Sequence, residues 1–227
     1  MDLWWRDDDA GGDGPELERL LALAAALELP LMLAVVPAWL GETARRRILG
    51  CPQATVVQHG VAHENHARPG EKKIELGGAV DRPRLLRELV CGRESLERAF
   101  ADRFRPVLVP PWNRIDAEIE RRLPQLGYRA VSTEYRRRSP RVPGLLRLDV
   151  HLDPVDWRNR RPFTAAEMRE AFARLLEARI PGPFGIVTHH RVLSDRDFDV
   201  LGGFLADLRA KERARFLSTD ELLGAPA

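Results

Sequence analysis

The chain has 227 residues, 44% hydrophobic and 31% charged, with a formal net charge of +2; this excludes a disordered chain and a protein carrying a strong nucleic-acid-binding field. Cys51 and Cys91 are too few for a disulfide framework or a cysteine zinc site, and reduced thiols are expected for both. The longest apolar stretch, 29–40, is broken by prolines and too short to span a bilayer, and the first residues lack the basic and apolar regions of a secretion signal, so a cytoplasmic protein without membrane or nucleic-acid partners is expected.

The first apolar run predicts a strand over 3–6, with Trp4 and Trp5 in the core, and Asp7, Asp8 and Asp9 follow it. Asp13-Gly14-Pro15 reads as a cap with proline in the first turn of a helix over 15–27. A strand over 30–36, a helix over 42–48 and a strand over 55–58 come next, the last followed by His59 and His63. If a helical turn begins there, residues i and i+4 share a face, which suits two metal ligands. Residues 64–81, rich in Gly and charge, read as a surface excursion. A helix over 82–103 leads to a strand over 106–109 and the segment Pro110-Pro111-Trp112-Asn113. A helix over 116–126 precedes strands over 130–132 and 145–150. Between those strands the basic run 135–141 reads as a solvated loop rather than a phosphate-binding patch. Asp153 and Asp156-Trp157 follow, then a helix over 165–178. A strand over 185–188 ends at His189-His190. A helix over 195–211, started by Ser194 or Asp195, and a strand over 215–217 complete the pattern.

Strands alternating with helices argue for parallel pairing under covering helices. Seven or eight strands in one domain over 1–227 fit an α/β fold of the distorted (β/α) barrel type better than two domains; an open doubly wound sheet is the alternative. Five polar clusters then stand at the C-terminal ends of five strands, the face on which such barrels assemble active sites. A carboxylate and two imidazoles are enough ligands for a catalytic divalent metal, and a spare carboxylate beside them is a ready general base. Crowded like charges repel, so a cation among them offsets a real cost.

In this order the motifs resemble those of the polysaccharide deacetylases (carbohydrate esterase family four), and the resemblance runs from residue 7 to residue 190. It implies a distorted seven- or eight-stranded barrel and a divalent metal, most often zinc. The paired-aspartate motif is matched by Asp8-Asp9-Ala10, which makes Asp8 the base and Asp9 a metal ligand; a one-residue shift would make them Asp7 and Asp8. The His-x-x-x-His motif is matched by His59 and His63, with Gly60 where the family has a serine or threonine. The Arg-Pro-Pro-Tyr motif is matched by Val109-Pro110-Pro111-Trp112; the base-orienting arginine is absent, Arg6 and Arg114 are the candidates to replace it, and Asn113 is a candidate hydrogen-bond donor. The aspartate–tryptophan motif is matched over 153–157, and His189 matches the final histidine. By this resemblance His189 protonates the leaving amine, Asp156 orients His189, and Pro111, Trp112, Asn113 and Trp157 contact substrate. The implied activity is metal-dependent removal of an N-acetyl group from a sugar or oligosaccharide. Hydrolysis of another small or cyclic amide, or carbohydrate binding without catalysis, are the rival readings.

Overall fold

The computed structural model describes residues 1–135 and 141–224. Most of the basic run singled out above, residues 136–140, lies outside the described residues. In chain order the elements are β1 (Asp2–Ala10), α1 (Pro15–Leu27), β2 (Leu31–Val35), α2 (Glu42–Leu49), β3 (Ala54–His59), α3 (Arg82–Phe100), β4 (Phe104–Val109), α4 (Ala117–Arg122), β5 (Ala130–Val131), β6 (Leu146–Arg147), β7 (Val150–Leu152), β8 (Val155–Asp156), β9 (Arg161–Pro162), α5 (Ala165–Glu177), β10 (Phe184–Thr188), α6 (Asp195–Ala210), β11 (Arg215–Phe216) and α7 (Thr219–Leu222). Among the described residues no helix is long and apolar enough to cross a membrane.

Eight parallel strands pair in the order β6-β5-β4-β3-β2-β1-β10-β7, and β11 adds to β1. The ends of this path, β6 and β7, are consecutive in the chain and separated only by Leu148 and Asp149. Arg147 to Val150 can span at most ~10 Å at full extension, so the sheet must curl until its edges nearly meet. A parallel bridge from Glu134, just past β5, to Val150 of β7 spans the gap. The result is the distorted α/β barrel expected from the alternation. The run over 145–150, read as one strand, is instead two short strands at opposite edges, because the chain crosses the seam there.

Side chains alternate across each strand, and on β1 this separates the two tryptophans. Trp4 joins Met32, Ala34, Val57, Val107 and Val187 in an interior cluster drawn from the strands. Trp5 faces outward, into the core that α1, α2 and α6 cover. A third cluster sits under α3 and α4 and includes Leu76. The 64–81 segment is therefore not wholly a surface excursion: Leu76 and Glu75 are buried. The expected cap at Asp13 is not formed. Gly14 occupies the cap position of α1 without a side-chain bond, and Asp13 pairs with Arg47. Ser194 starts α6 through a reciprocal cap with Asp197.

Trp4 lies opposite Gly185 in the β1–β10 register. A methyl group at Gly185 would come within 2.5 Å of the Trp4 ring and 2.9 Å of the Asp149 carbonyl oxygen. Gly185→Ala is expected to destabilise the fold by about 1–3 kcal/mol through overpacking, read as a lower urea midpoint at unchanged slope.

Candidate metal centre and its flanking groups

The three aspartates do not follow β1; they are its last turn of pleat, since the strand runs to Ala10. Alternation sends Asp7 outward. It is fully buried and accepts hydrogen bonds from His190 Nδ1 (2.5 Å), Thr188 Oγ1 (2.6 Å) and the His190 N–H (3.1 Å). Burial pushes the Asp7 carboxyl above the usual carboxylate range, with His190 and Thr188 acting against it. These contacts tie β1 to the end of β10, so Asp7 is committed to the scaffold and the shifted alignment with Asp7 as base is not the one the geometry serves. Asp8 points inward with Arg6. At Asp9 the alternation breaks: φ is +67°, and the β1–β2 register shifts between Asp7 and Ala10. This bulge re-aims one side chain, so Asp8 and Asp9 line the same cavity of about 490 Å³.

Asp9 Oδ1 lies 3.1 Å from His59 Nε2 and 3.2 Å from His63 Nε2. The three donor atoms lie within 4.8 Å of one another. His59, the last residue of β3, has Nδ1 at 2.9 Å from the Val109 carbonyl oxygen. A carbonyl only accepts, so Nδ1 carries the proton, and in the neutral ring the Nε2 lone pair faces the Asp9 carboxylate. Such a contact is repulsive unless a proton or a cation lies between the two. Bonds of ~2.0–2.1 Å at tetrahedral angles place ligand atoms about 3.3 Å apart, close to the spacing observed. The donor set, one carboxylate and two imidazoles with the second ring nitrogen of His59 anchored, thus fits a divalent ion. Burial raises the Asp9 carboxyl, but contacts from His189, His59 and His63 outweigh it and hold the group far below the usual range. For His59, burial acts downward, and Asp9 and Asp8 carry the net shift upward.

His63 does not reach the site on a helical turn. Residues 60–64 form a non-helical loop in which Gly60 (φ +58°) and His63 (φ +60°) are left-handed. The His63 ring packs against Trp112 at 4.5 Å and Trp39 at 5.4 Å.

Arg6 takes the place left open at Val109. It is fully buried, with Nη2 donating to Asp8 Oδ2 at 2.9 Å and Nε in ion-pair contact with Oδ1 at 2.8 Å. Its remaining donors reach Asn113 Oδ1 (3.0 Å) and Ser132 Oγ (2.7 Å). Asn113 therefore accepts from the arginine rather than donating. Arg114 also lines the cavity but donates to the Lys73 carbonyl instead of backing Asp8. Trp112 and Asn113 both adopt left-handed φ values, 54° and 55°, which puts the indole against His63. Pro111 is buried, packs beside Gly60 and does not line the cavity, contrary to its expected substrate contact.

His189 faces Asp9 from the other side. Its Nε2 is 3.4 Å from Asp153 Oδ2, and its Nδ1 is 3.9 Å from Asp9 Oδ2. Burial works against the charged ring, but Asp153 and Asp9 more than offset this and raise its pKa to about 10. The expectation that Asp156 orients His189 is corrected. Asp156 heads the β8–β9 hairpin, where it accepts from the N–H groups of Arg158 and Asn159 and from the Asn159 amide. Asp153 also accepts from Trp157 Nε1 at 2.6 Å, which sets the indole edge-on to His189 at 4.7 Å. Sequence reasoning missed Ser132, Glu75 and His151. His151 lines the cavity and accepts the Gly185 N–H at Nδ1, which leaves Nε2 as its donor. A histidine two residues before Asp153 was the available signal.

No family model and no curated sequence matches the chain. Solved structures do match, and they show its fold to be that of polysaccharide deacetylases and family 4 carbohydrate esterases. A protein from Mycobacterium smegmatis assigned as a polysaccharide deacetylase is 20% identical, with 92% of this chain and 76% of that chain covered and a TM-score of 0.71. A peptidoglycan N-acetylglucosamine deacetylase is 14% identical, over 99% of this chain and 89% of that one, with a TM-score of 0.68. A family 4 acetyl xylan esterase from Clostridium thermocellum, in complex with a cobalt ion, is 13% identical over 100% and 93%, with a TM-score of 0.65. Proteins described as CE4 family pseudoenzymes share the fold as well.

Two outcomes are expected. His63→Ala lowers divalent-metal affinity by more than the 10–100-fold typical of losing an outer partner, read by equilibrium dialysis with elemental analysis; full retention of metal removes His63 from the ligand set. Arg6→Met strands the buried Asp8 charge and costs about 3–5 kcal/mol in urea unfolding, part of which Asp8→Asn restores in the double variant.

Proposed function

We propose that the protein is a metal-dependent amide hydrolase that removes an N-acetyl group from a sugar or glycan, with Zn²⁺ as its ion. The observation that carries this reading is the pairing of two proton-handling groups across one Asp9/His59/His63 cluster. Asp8 is backed by Arg6 on one side, and His189 is backed by Asp153 on the other. Neighbours of the same fold that are described as deacetylases and an acetyl xylan esterase support the reaction class.

Asp9, His59 and His63 would hold the ion. The chemistry an ion supplies there is Lewis acidity toward a carbonyl and toward water. Asp8 is placed to take a proton from water. The contact with Arg6 orients its carboxylate and offsets the cost of burying it. His189 is placed to give a proton to the departing nitrogen, a step the reaction needs because an amide anion leaves poorly. Asp153, 3.4 Å from Nε2, favours the charged form of the ring. Trp112 and half-exposed Trp157 offer flat apolar walls suited to an acetyl methyl or a sugar face. An arginine missing before Pro110 would favour a non-catalytic carbohydrate binder, but Arg6 supplies the guanidinium beside Asp8 from inside the barrel.

The test is acetate release from N-acetylated sugars and oligosaccharides by the Zn²⁺-loaded protein, run beside a panel of other small and cyclic amides. Activity on the latter alone would transfer the assignment to a different amide. Glycan binding without turnover under any added divalent ion would replace catalysis by recognition. Asp8→Asn is expected to keep its metal and lose roughly 10²–10⁴-fold in turnover, the scale of a lost general base; turnover within tenfold of the unaltered protein would remove Asp8 from that role.

A further inference from the structure

The loop that carries His63 is held by a residue outside every motif of the sequence analysis. Glu75 lies in the irregular 64–81 segment, yet it is only 1% exposed. Its Oε2 accepts the Val61 N–H at 3.1 Å, and its Oε1 accepts those of Ala62 at 2.7 Å and Glu64 at 3.2 Å. The two amides at Oε1 flank His63 in the chain. Gly60 makes room for this arrangement: a Cβ there would lie 1.9 Å from Glu75 Oε2 and 2.6 Å from Pro111 Cγ. From beneath, Gln58 Nε2 donates to the Gly60 carbonyl at 2.8 Å and is itself fixed by Tyr128, whose hydroxyl donates to Gln58 Oε1 at 2.7 Å. Glu75 is in turn tied down through its own carbonyl, which accepts from His66 Nδ1 at 2.7 Å.

A buried carboxylate meeting three backbone amides orders those amides tightly, because charge-assisted bonds are the strong ones. Left-handed backbone at a non-glycine residue is unfavourable by itself and persists where surrounding contacts over-determine it. His63 is such a residue, at φ +60°. We propose that Glu75 is the positioning residue for His63: by gathering the N–H groups of Val61, Ala62 and Glu64 it holds the left-handed turn that aims the imidazole at Asp9. The inference rests on the metal reading above and assigns to one side chain the preorganisation of one ligand of that site.

The experiment compares the unaltered chain with Glu75→Gln, using Co²⁺ alone as probe and its visible absorption as readout. Glutamine keeps the size but offers a single acceptor oxygen and places an NH₂ donor against the amides. The dissociation constant for Co²⁺ is expected to rise roughly 10–100-fold, as for removal of an outer partner of a ligand. The metal-free melting temperature should stay within a few degrees, and the amides of residues 61, 62 and 64 should exchange hydrogen faster. Unchanged affinity and exchange overturn the inference. A loss of affinity that only follows a collapse of the metal-free fold overturns it as well, since Glu75 would then serve the fold at large. If Glu75→Gln gives no folded protein, Glu75→Asp, which keeps the charge but shortens its reach, is judged by the same criteria. Failure of the unaltered protein to take up Co²⁺ or Zn²⁺ sinks the metal reading instead, and the exchange comparison still decides whether Glu75 holds the loop.

Discussion

Three consecutive carboxylates at the buried end of one strand are the constraint around which the rest of the molecule is arranged. Side by side and unpaired, Asp7, Asp8 and Asp9 would repel one another and each would carry a large desolvation cost. The fold sends them in three directions. Pleating separates Asp7 from Asp8, so the first meets His190 and Thr188 on the helix-covered face and the second meets Arg6 inside the barrel. The bulge at Asp9 then breaks the alternation, and this carboxylate turns to His59 and His63 instead of stacking over Asp7. Removing the bulge would return Asp9 to the outer face and leave two imidazoles without their carboxylate. One backbone irregularity therefore decides whether the barrel mouth brings Asp9, His59 and His63 together at all.

What could be read from residues alone follows the same division between periodic and local information. The β/α alternation was legible because apolar periods of two and of roughly 3.6 differ plainly. Parallel pairing then implied that Asp9, His59, Trp112 and His189 share one rim, and they do share one cavity. The seam was illegible, since a run such as Leu145-Leu146-Arg147-Leu148 looks the same whether it continues or crosses between edges. The choice between Asp153 and Asp156 was undecidable for a related reason. It depends on a two-residue hairpin, Val155 and Asp156 against Arg161 and Pro162, too short to leave a pattern. Glu75 stayed hidden because a buried glutamate bonded only to amides has the same letter as a solvated one; its signal was two apolar neighbours, Ile74 and Leu76, in an otherwise charged stretch.

The site is held from two sides by different means. On the side of His59 and His63 the anchors are backbone groups: the Val109 carbonyl, and the loop amides gathered by Glu75. On the side of His189 the anchor is a second carboxylate, Asp153, itself shared with the Trp157 indole. A neutral carbonyl suits a ring such as that of His59, which keeps its other lone pair free, whereas an ionised partner suits a ring that carries a proton. Under the proposed function this asymmetry of anchors divides the imidazoles into two that hold and one that transfers.

The arginine that backs Asp8 shows how position along a strand converts into electrostatics. Trp4, Arg6 and Asp8 form one inward column on β1, each about 6.6 Å above the last. Trp4 packs over Gly185 and seals the interior below. Arg6 sits on that apolar floor with Ser132 and Asn113 satisfying its outer donors. Water is thereby kept from the guanidinium, and in that low-dielectric setting its field on Asp8 is stronger than at a solvent-exposed loop. Position 109, the last of β4, is a fully buried valine of the interior cluster, so the guanidinium that meets Asp8 comes instead from its own strand. Supplying it from β1 ties the orientation of the carboxylate to the barrel core and leaves residues 110–114 free to adopt the left-handed turn that lays Trp112 against His63.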